Sequence, residues 1–193
     1  IADVVGSNIK RPGYIEGKEY IVSWCLGHLL ELETPDYYIN ANSSKNIWKM
    51  EDLPIIPDEW RLKVTDDDEI RKQYKVIKEL MNNDRIESII CATDAGIEGE
   101  CIFRYVYDYI KSNKYVERLW ISSLEQNAIR KALLCMKPDS DYDNLYYAGY
   151  SRARADWLIG MNLSRAYTLS ERYKGNKVTL PLGRVKTPTL ALV

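Results

Sequence analysis

The feature that most constrains this fold is a change of hydrophobic period around residue 93. Ile86-Glu87-Ser88-Ile89-Ile90-Cys91-Ala92 is short and mostly apolar, the composition of a strand buried in a parallel sheet. From Cys101 through Phe103, Val106, Tyr107 and Ile110 the apolar residues recur at helical spacing. Between them lies Thr93-Asp94-Ala95-Gly96-Ile97-Glu98-Gly99-Glu100. Strand, glycine-bearing loop and helix in this order form a βα unit, and open α/β sheets bind ligands outside the carboxyl ends of their strands.

The rest of the chain extends that pattern. Glu19–Leu26 is rich in β-branched and aromatic residues and reads as a strand ended by Gly27-His28. Residues 34–60 hold three of the seven prolines together with Asn42-Ser43-Ser44, an irregular excursion. Asp67 to Met81 has helical spacing through Ile70, Tyr74, Ile77 and Leu80, and Asn82-Asn83-Asp84 stops it. Leu119–Ser122 reads as a further strand and Gln126–Met136 as a short helix. Alternating strands and helices predict an α/β layer with a mostly parallel sheet. Pro138-Asp139-Ser140-Asp141 is the predicted boundary, giving domains 1–138 and 139–193, and Asp143 to about Arg172 reads as one long helix.

Several classes are set aside by what the chain contains. Cys25, Cys91, Cys101 and Cys135 form no CxxC pair, which argues against a zinc site or disulfide scaffold and sets a reducing cytoplasm as the expectation. No apolar run approaches the roughly 20 residues of a membrane span. The opening Ile1-Ala2-Asp3-Val4-Val5-Gly6 resembles the last turns of a helix stopped by glycine, and Leu190–Val193 closes without a stop signal. An excerpt of a longer protein is therefore expected. Net charge is −1, yet residues 143–193 carry eight Lys/Arg against three acids. That quarter is either a contact surface for an anionic polymer or a solvated helix face.

The loop at 94–100 crowds three carboxylates into seven positions. A phosphate cradle would favour backbone N–H groups and lysine over acids. Like charges held close resist ionisation unless a cation sits among them, and Mg²⁺ favours one or two carboxylates plus substrate phosphate. A Mg²⁺-assisted phosphoryl-transfer site is one reading; acids placed at a helix N-terminus by its dipole is the other. His28, the single histidine, has a structural and a catalytic reading. Arg152 and Asp156 stand four apart, the spacing of a surface ion pair. Trp157 with Tyr146, Tyr147, Tyr150 and Tyr167 is either core or a base-stacking surface.

The same residues resemble a known family. Ala92–Glu100 is similar to the ATDAGREGE loop of the Toprim domain in type IA DNA topoisomerases of the topoisomerase III kind. Ser23–Leu29 resembles that family's GHL segment, and Trp48–Pro57 its WxxxDLPIxP stretch. Arg152–Arg165 resembles its RxxADWLxGxNxSR helix, and Leu182–Leu190 its GRVQTPTL segment. These ordered motifs span nearly the whole chain.

The resemblance implies a Toprim domain, Rossmann-like with flanking helices, followed by the helical start of the central topoisomerase domain. It implies a bacterial, cytoplasmic and nucleoid-associated enzyme, monomeric, that opens and reseals single-stranded DNA through a phosphotyrosyl link. Asp94 and Glu98 would be catalytic and hold Mg²⁺, with Glu100 beside them. His28, Arg152, Asp156, Arg165, Arg184 and Lys186 would lie along the DNA, positioning phosphates rather than reading sequence. A further metal-site glutamate and the nucleophilic tyrosine would lie upstream of Ile1 and beyond Val193. The sequence departs from the family at Gly96, where many Toprim proteins carry aspartate, and at Ile97, where arginine is usual. Lys186 stands for a glutamine and Glu125 for a threonine. Loss of the arginine supports an alternative: a non-catalytic Toprim-like DNA-binding module of a mobile-element protein.

Overall fold

The computed structural model describes residues 1–39 and 48–192. The Asn42-Ser43-Ser44 part of the predicted excursion, and Val193, lie outside the described residues. The chain divides into two compact units: Ile1–Glu31 with Leu62–Gly149, and Leu32–Arg61 with Tyr150–Val193.

The first unit begins with an antiparallel meander, β1 (Ile9–Arg11), β2 (Tyr14–Glu16) and β3 (Ile21–Ser23). The Arg11↔Tyr14 register leaves Pro12-Gly13 as a two-residue turn, and Gly13 sits at φ 81°, a conformation costly for any residue with a Cβ. β4 (Leu30–Leu32) pairs with β5 (Leu62–Val64). The helix α2 (Asp68–Met81) starts where the Asp67 carboxylate accepts hydrogen bonds from the Glu69 and Ile70 amides. Its buried Gln73 donates from Nε2 to the carbonyls of Gly13 (2.9 Å) and Trp24 (2.7 Å), which fastens the helix to the meander.

A second sheet has the order β6-β7-β8: β6 (Ser88–Cys91) parallel to β7 (Tyr115–Arg118), and β8 (Lys137–Pro138) antiparallel to β7. α3 (Ile97–Ile110) is the crossover between the parallel pair, and α4 (Gln126–Leu133) follows. Ile77, Met81, Cys91, Phe103, Val106, Val116, Leu119 and Ile129 are buried. Each such side chain contributes roughly 1.5–3 kcal/mol on leaving water.

Mixed sheets replace the mostly parallel one expected: β6–β7 is parallel, while the meander and β7–β8 are antiparallel. Hairpin connections of two to four residues in residues 1–23 permit no parallel crossover, which needs a dozen or more. The strand expected at Leu119–Ser122 is instead at Tyr115–Arg118, and Leu119 caps it by donating its amide to the Cys91 carbonyl at 2.9 Å. Ile1–Gly6 forms hydrogen-bonded turns that close as the sequence implied: the Val5 amide donates to the Ile1 carbonyl at 3.2 Å, the Ser7 amide to the Ala2 carbonyl at 2.9 Å, and Gly6 sits at φ 76° as a left-handed stop.

The second unit is built on α5 (Asp143–Tyr173), whose first turns to Gly149 belong to the first unit. It adds α1 (Pro35–Ile39) and α6 (Lys186–Ala191). Trp157 is buried, donates its indole N–H to the Glu33 carbonyl at 2.8 Å, and meets Trp60 and Tyr38 edge-on. That assigns this tryptophan to core. Asn162 pairs with the backbone of Ile55 in both directions, accepting its amide at 2.6 Å and donating to its carbonyl at 2.9 Å. Among the described residues no helix is long and apolar enough to cross a membrane, and all four cysteines are free.

Candidate metal site in the Asp94–Glu100 loop

β6 ends at Cys91 and the chain turns through Thr93-Asp94-Ala95 into α3, whose first turn carries Glu98 and Glu100. The turn is closed tightly. Thr93 Oγ1 donates to the Gly99 carbonyl at 2.7 Å. A Cβ on Gly99 would lie 2.1 Å from the Asp94 carbonyl oxygen, so only glycine fits. Gly96 has φ 169°, ordinary extended backbone, and a Cβ there would meet nothing within 4 Å. An aspartate or other side chain is therefore sterically admissible at the position where many Toprim proteins carry one.

The three acids part company. Asp94 and Glu98 are exposed at the carboxyl end of β6. His28 lies beside Glu98, with its Nε2 3.3 Å from Glu98 Oε2. Burial lowers the His28 pKa from its ordinary value.

Glu100 is fully buried. Its Oε2 accepts from Arg118 Nε at 3.0 Å and its Oε1 from Arg104 Nε at 3.0 Å. Arg118 is itself fully buried. Arg104 also donates to Asp143 (2.8 Å) and to the Asp139 carbonyl (2.7 Å), and contacts the Asp139 carboxylate. Burial first, and the Glu100 charge second, raise the Asp139 pKa to about 6.

Among the described residues Cys91, Glu100 and Asp139 hold ligand atoms within 4.8 Å of one another. Two guanidinium groups already neutralise those carboxylates, and burial pushes the Cys91 thiol up to about 12, so its thiolate is scarce at neutral pH. The trio serves the interior ion-pair network rather than a cation. Glu100 thus stands apart from the two exposed acids with which the sequence grouped it. Of the arginines that claim it, Arg104 stands at the local i,i+4 spacing of α3 and was the legible one, whereas Arg118, 18 residues away across a βα unit, leaves no local periodicity.

In the second unit, Asp156 and Arg184 pair at 2.6 Å (Oδ1 to Nε) on the surface. Arg152, the i,i+4 partner expected for Asp156, is exposed, and its charge adds to the Arg184 hydrogen bond in holding the Asp156 carboxyl below the usual range. Arg165 is buried, with Nη2 2.9 Å from both carboxylate oxygens of Asp36 and its guanidinium 4.7 Å from the Trp48 ring centroid. This differs from a role along DNA: burial and a carboxylate partner leave its charge no path to solvent. Lys186 is exposed at the start of α6.

A strand that ends in exposed carboxylates beside a glycine turn is an α/β arrangement able to offer oxygen ligands to a cation, and comparison with known proteins makes the class specific. Residues 4–124 match the model of the Toprim domain, and the chain belongs to that family. Residues 140–193 match the family model described as DNA topoisomerase. DNA topoisomerase 3 of Staphylococcus aureus (strain USA300) is 43% identical over 195 residues, covering 100% of this chain and 26% of that protein. DNA topoisomerase 3 of Staphylococcus epidermidis (strain ATCC 12228 / FDA PCI 1200) is 42% identical over 193 residues with the same coverage. The chain spans about a quarter of the length of these relatives. The topoisomerase III-like resemblance is borne out, and similarity running from the Toprim match through the topoisomerase match disfavours the binding-module alternative.

Proposed function

We propose that this chain supplies the metal-binding domain and part of the DNA path of a bacterial type IA DNA topoisomerase of the topoisomerase III kind. The observation that carries the reading is the exposed pair Asp94 and Glu98 at the carboxyl end of β6, on a turn too tight for any residue but Gly99. Two carboxylates open to solvent are the hard oxygen donors that Mg²⁺ takes alongside phosphate and water. Asp94 and Glu98 would hold the ion, which supplies charge neutralisation at the phosphate being cut and rejoined. Glu100, committed to Arg118 and Arg104, would act on the ion only through the backbone.

His28 offers a hydrogen bond to Glu98 or to a phosphate. Arg152, Arg184 and Lys186 would position the phosphates of a single strand, and Asp156 would hold the Arg184 fork in place. The tyrosine that attacks the phosphodiester is assigned to a part of the protein outside this chain. The enzyme would work as a cytoplasmic monomer near the nucleoid.

Relaxation of a negatively supercoiled plasmid tests the reading. In the protein carrying this chain, Asp94→Ala and Glu98→Ala each lower the Mg²⁺-dependent rate by about a hundredfold or more while preserving the circular dichroism spectrum. The 193-residue chain alone is expected to relax no plasmid in the same assay. Relaxation that survives the double variant overturns the site assignment.

A further inference from the structure

Arg118 occupies a place where strand alternation calls for an apolar side chain. It shares the buried face of β7 with Val116 and stands in register with Cys91, the last residue of β6. From there its guanidinium reaches under the acidic turn. Nε donates to Glu100 Oε2 at 3.0 Å. Nη1 donates to the carbonyls of Cys91 (3.0 Å), Thr93 (2.8 Å) and Leu119 (3.2 Å), and Nη2 to the carbonyl of Asp94 at 2.7 Å. The Trp120 ring covers it at 5.1 Å. Carbonyls at the end of a strand lose their ladder partners, and buried ones need donors. A planar fork with five N–H groups can satisfy several in fixed directions; an ammonium cannot.

We propose that Arg118 is a positioning residue for the metal site: it fixes the Cys91–Asp94 backbone, and so the Asp94 carboxylate, with Glu100 as its buried counter-ion. The inference rests on Asp94 and Glu98 being the metal ligands. Asp94 is then held from two sides, since its carbonyl oxygen bonds Arg118 and faces Gly99 so closely that a Cβ there would lie at 2.1 Å. Glu98 and Glu100 leave the same helical turn, so the ion pair inside the domain also sets the origin of the second ligand. A burial of two full charges contributes little net stability by itself, which leaves geometry as what this pair secures.

The test titrates the full-length protein carrying this chain with Mn²⁺, followed by the electron paramagnetic resonance signal of the free ion. The wild-type protein takes up Mn²⁺, and Asp94→Asn abolishes the uptake. Arg118→Lys keeps the charge but loses the fork, and is expected to weaken Mn²⁺ binding at least tenfold at a temperature well below its unfolding transition. Ile77→Val, a core change far along α2, serves as the control that lowers thermal stability without altering Mn²⁺ affinity; a purely structural role for Arg118 would give the same result as this control. Equal affinity in Arg118→Lys and wild type overturns the proposal while leaving the metal site standing. Absence of Asp94-dependent uptake in the wild type overturns the metal site and the proposal together. Backbone ¹⁵N relaxation needs no variant that might fail to fold: residues 93–97 are expected to be as rigid as β6, with order parameters near 0.85. Values below about 0.6 in that turn also overturn the proposal.

Discussion

Glu98 and Glu100 are two residues apart on one helical turn and do opposite things. Glu98 faces solvent beside the His28 imidazole, whereas Glu100 is sealed between two guanidinium groups. The difference teaches that a run of acids is not one electrostatic unit. An acid whose neighbours are arginines is already compensated and becomes part of the scaffold. An acid at the rim of the sheet keeps its capacity for an exchangeable cation. The helix period separates the two by about 200°, so one turn can serve both purposes.

The contrast is most severely tested at its buried end. Glu100→Ala leaves the Arg118 charge uncompensated in the interior and is expected to destabilise the chain by about 3–5 kcal/mol in urea denaturation, whereas Glu98→Ala changes stability by less than about 0.5 kcal/mol. Equal losses would erase the distinction.

A second test uses pH. The Asp139 pKa is raised to about 6 chiefly by burial, so the folded state binds its proton more tightly than the unfolded state. The stability it contributes is present below the unfolded value near 3.8 and is lost as pH rises through about 6. Asp139→Asn is expected to flatten the stability profile between pH 4 and 6 by roughly 2 kcal/mol. An unchanged profile would show that Arg104 holds Asp139 ionised.

The smallest effect belongs to the exposed pair of the second unit. Arg184→Ala should leave thermal stability essentially unchanged, as expected for an exposed ion pair. It should also lower the slope of log affinity against log salt for single-stranded DNA by about 0.7 in fluorescence anisotropy, the loss of one phosphate contact. No change in slope would remove Arg184 from the DNA path.

Local patterns carried part of this structure. The α2 helix was legible because an Asp67 cap precedes a clean apolar stripe, and α5 because helical composition persists for some thirty residues without glycine pairs or proline. The strand β6 was legible from its isoleucines. β7 was displaced by four residues because Tyr115-Val116-Glu117-Arg118 carries two charges, and the apolar Leu119-Trp120-Ile121 beside it was the stronger signal. Only the buried Glu100 makes Arg118 a permissible strand residue, and that contact is long-range. The β1–β2 hairpin had Pro12-Gly13 as its mark, but its strands of three residues are too short for alternation to show. The β4–β5 pair joins segments about thirty residues apart, which no window sees. In the candidate site the rim acids were legible from the loop motif, while the division of labour between Glu98 and Glu100 depended on the tertiary partners of each.

The tie between Asn162 and Ile55 spans 107 residues, and the Trp157 bond to Glu33 spans 124. During synthesis at roughly 5–20 residues per second, Glu33 and Ile55 emerge some 5–25 seconds before the helix that will receive them. Through that interval Tyr38 and Trp60 have no aromatic lid, and the segment between β4 and β5 waits, uncovered, for the second half of its own unit. Nascent chains arrested before residue 157 should therefore be the form of this protein that chaperones hold longest.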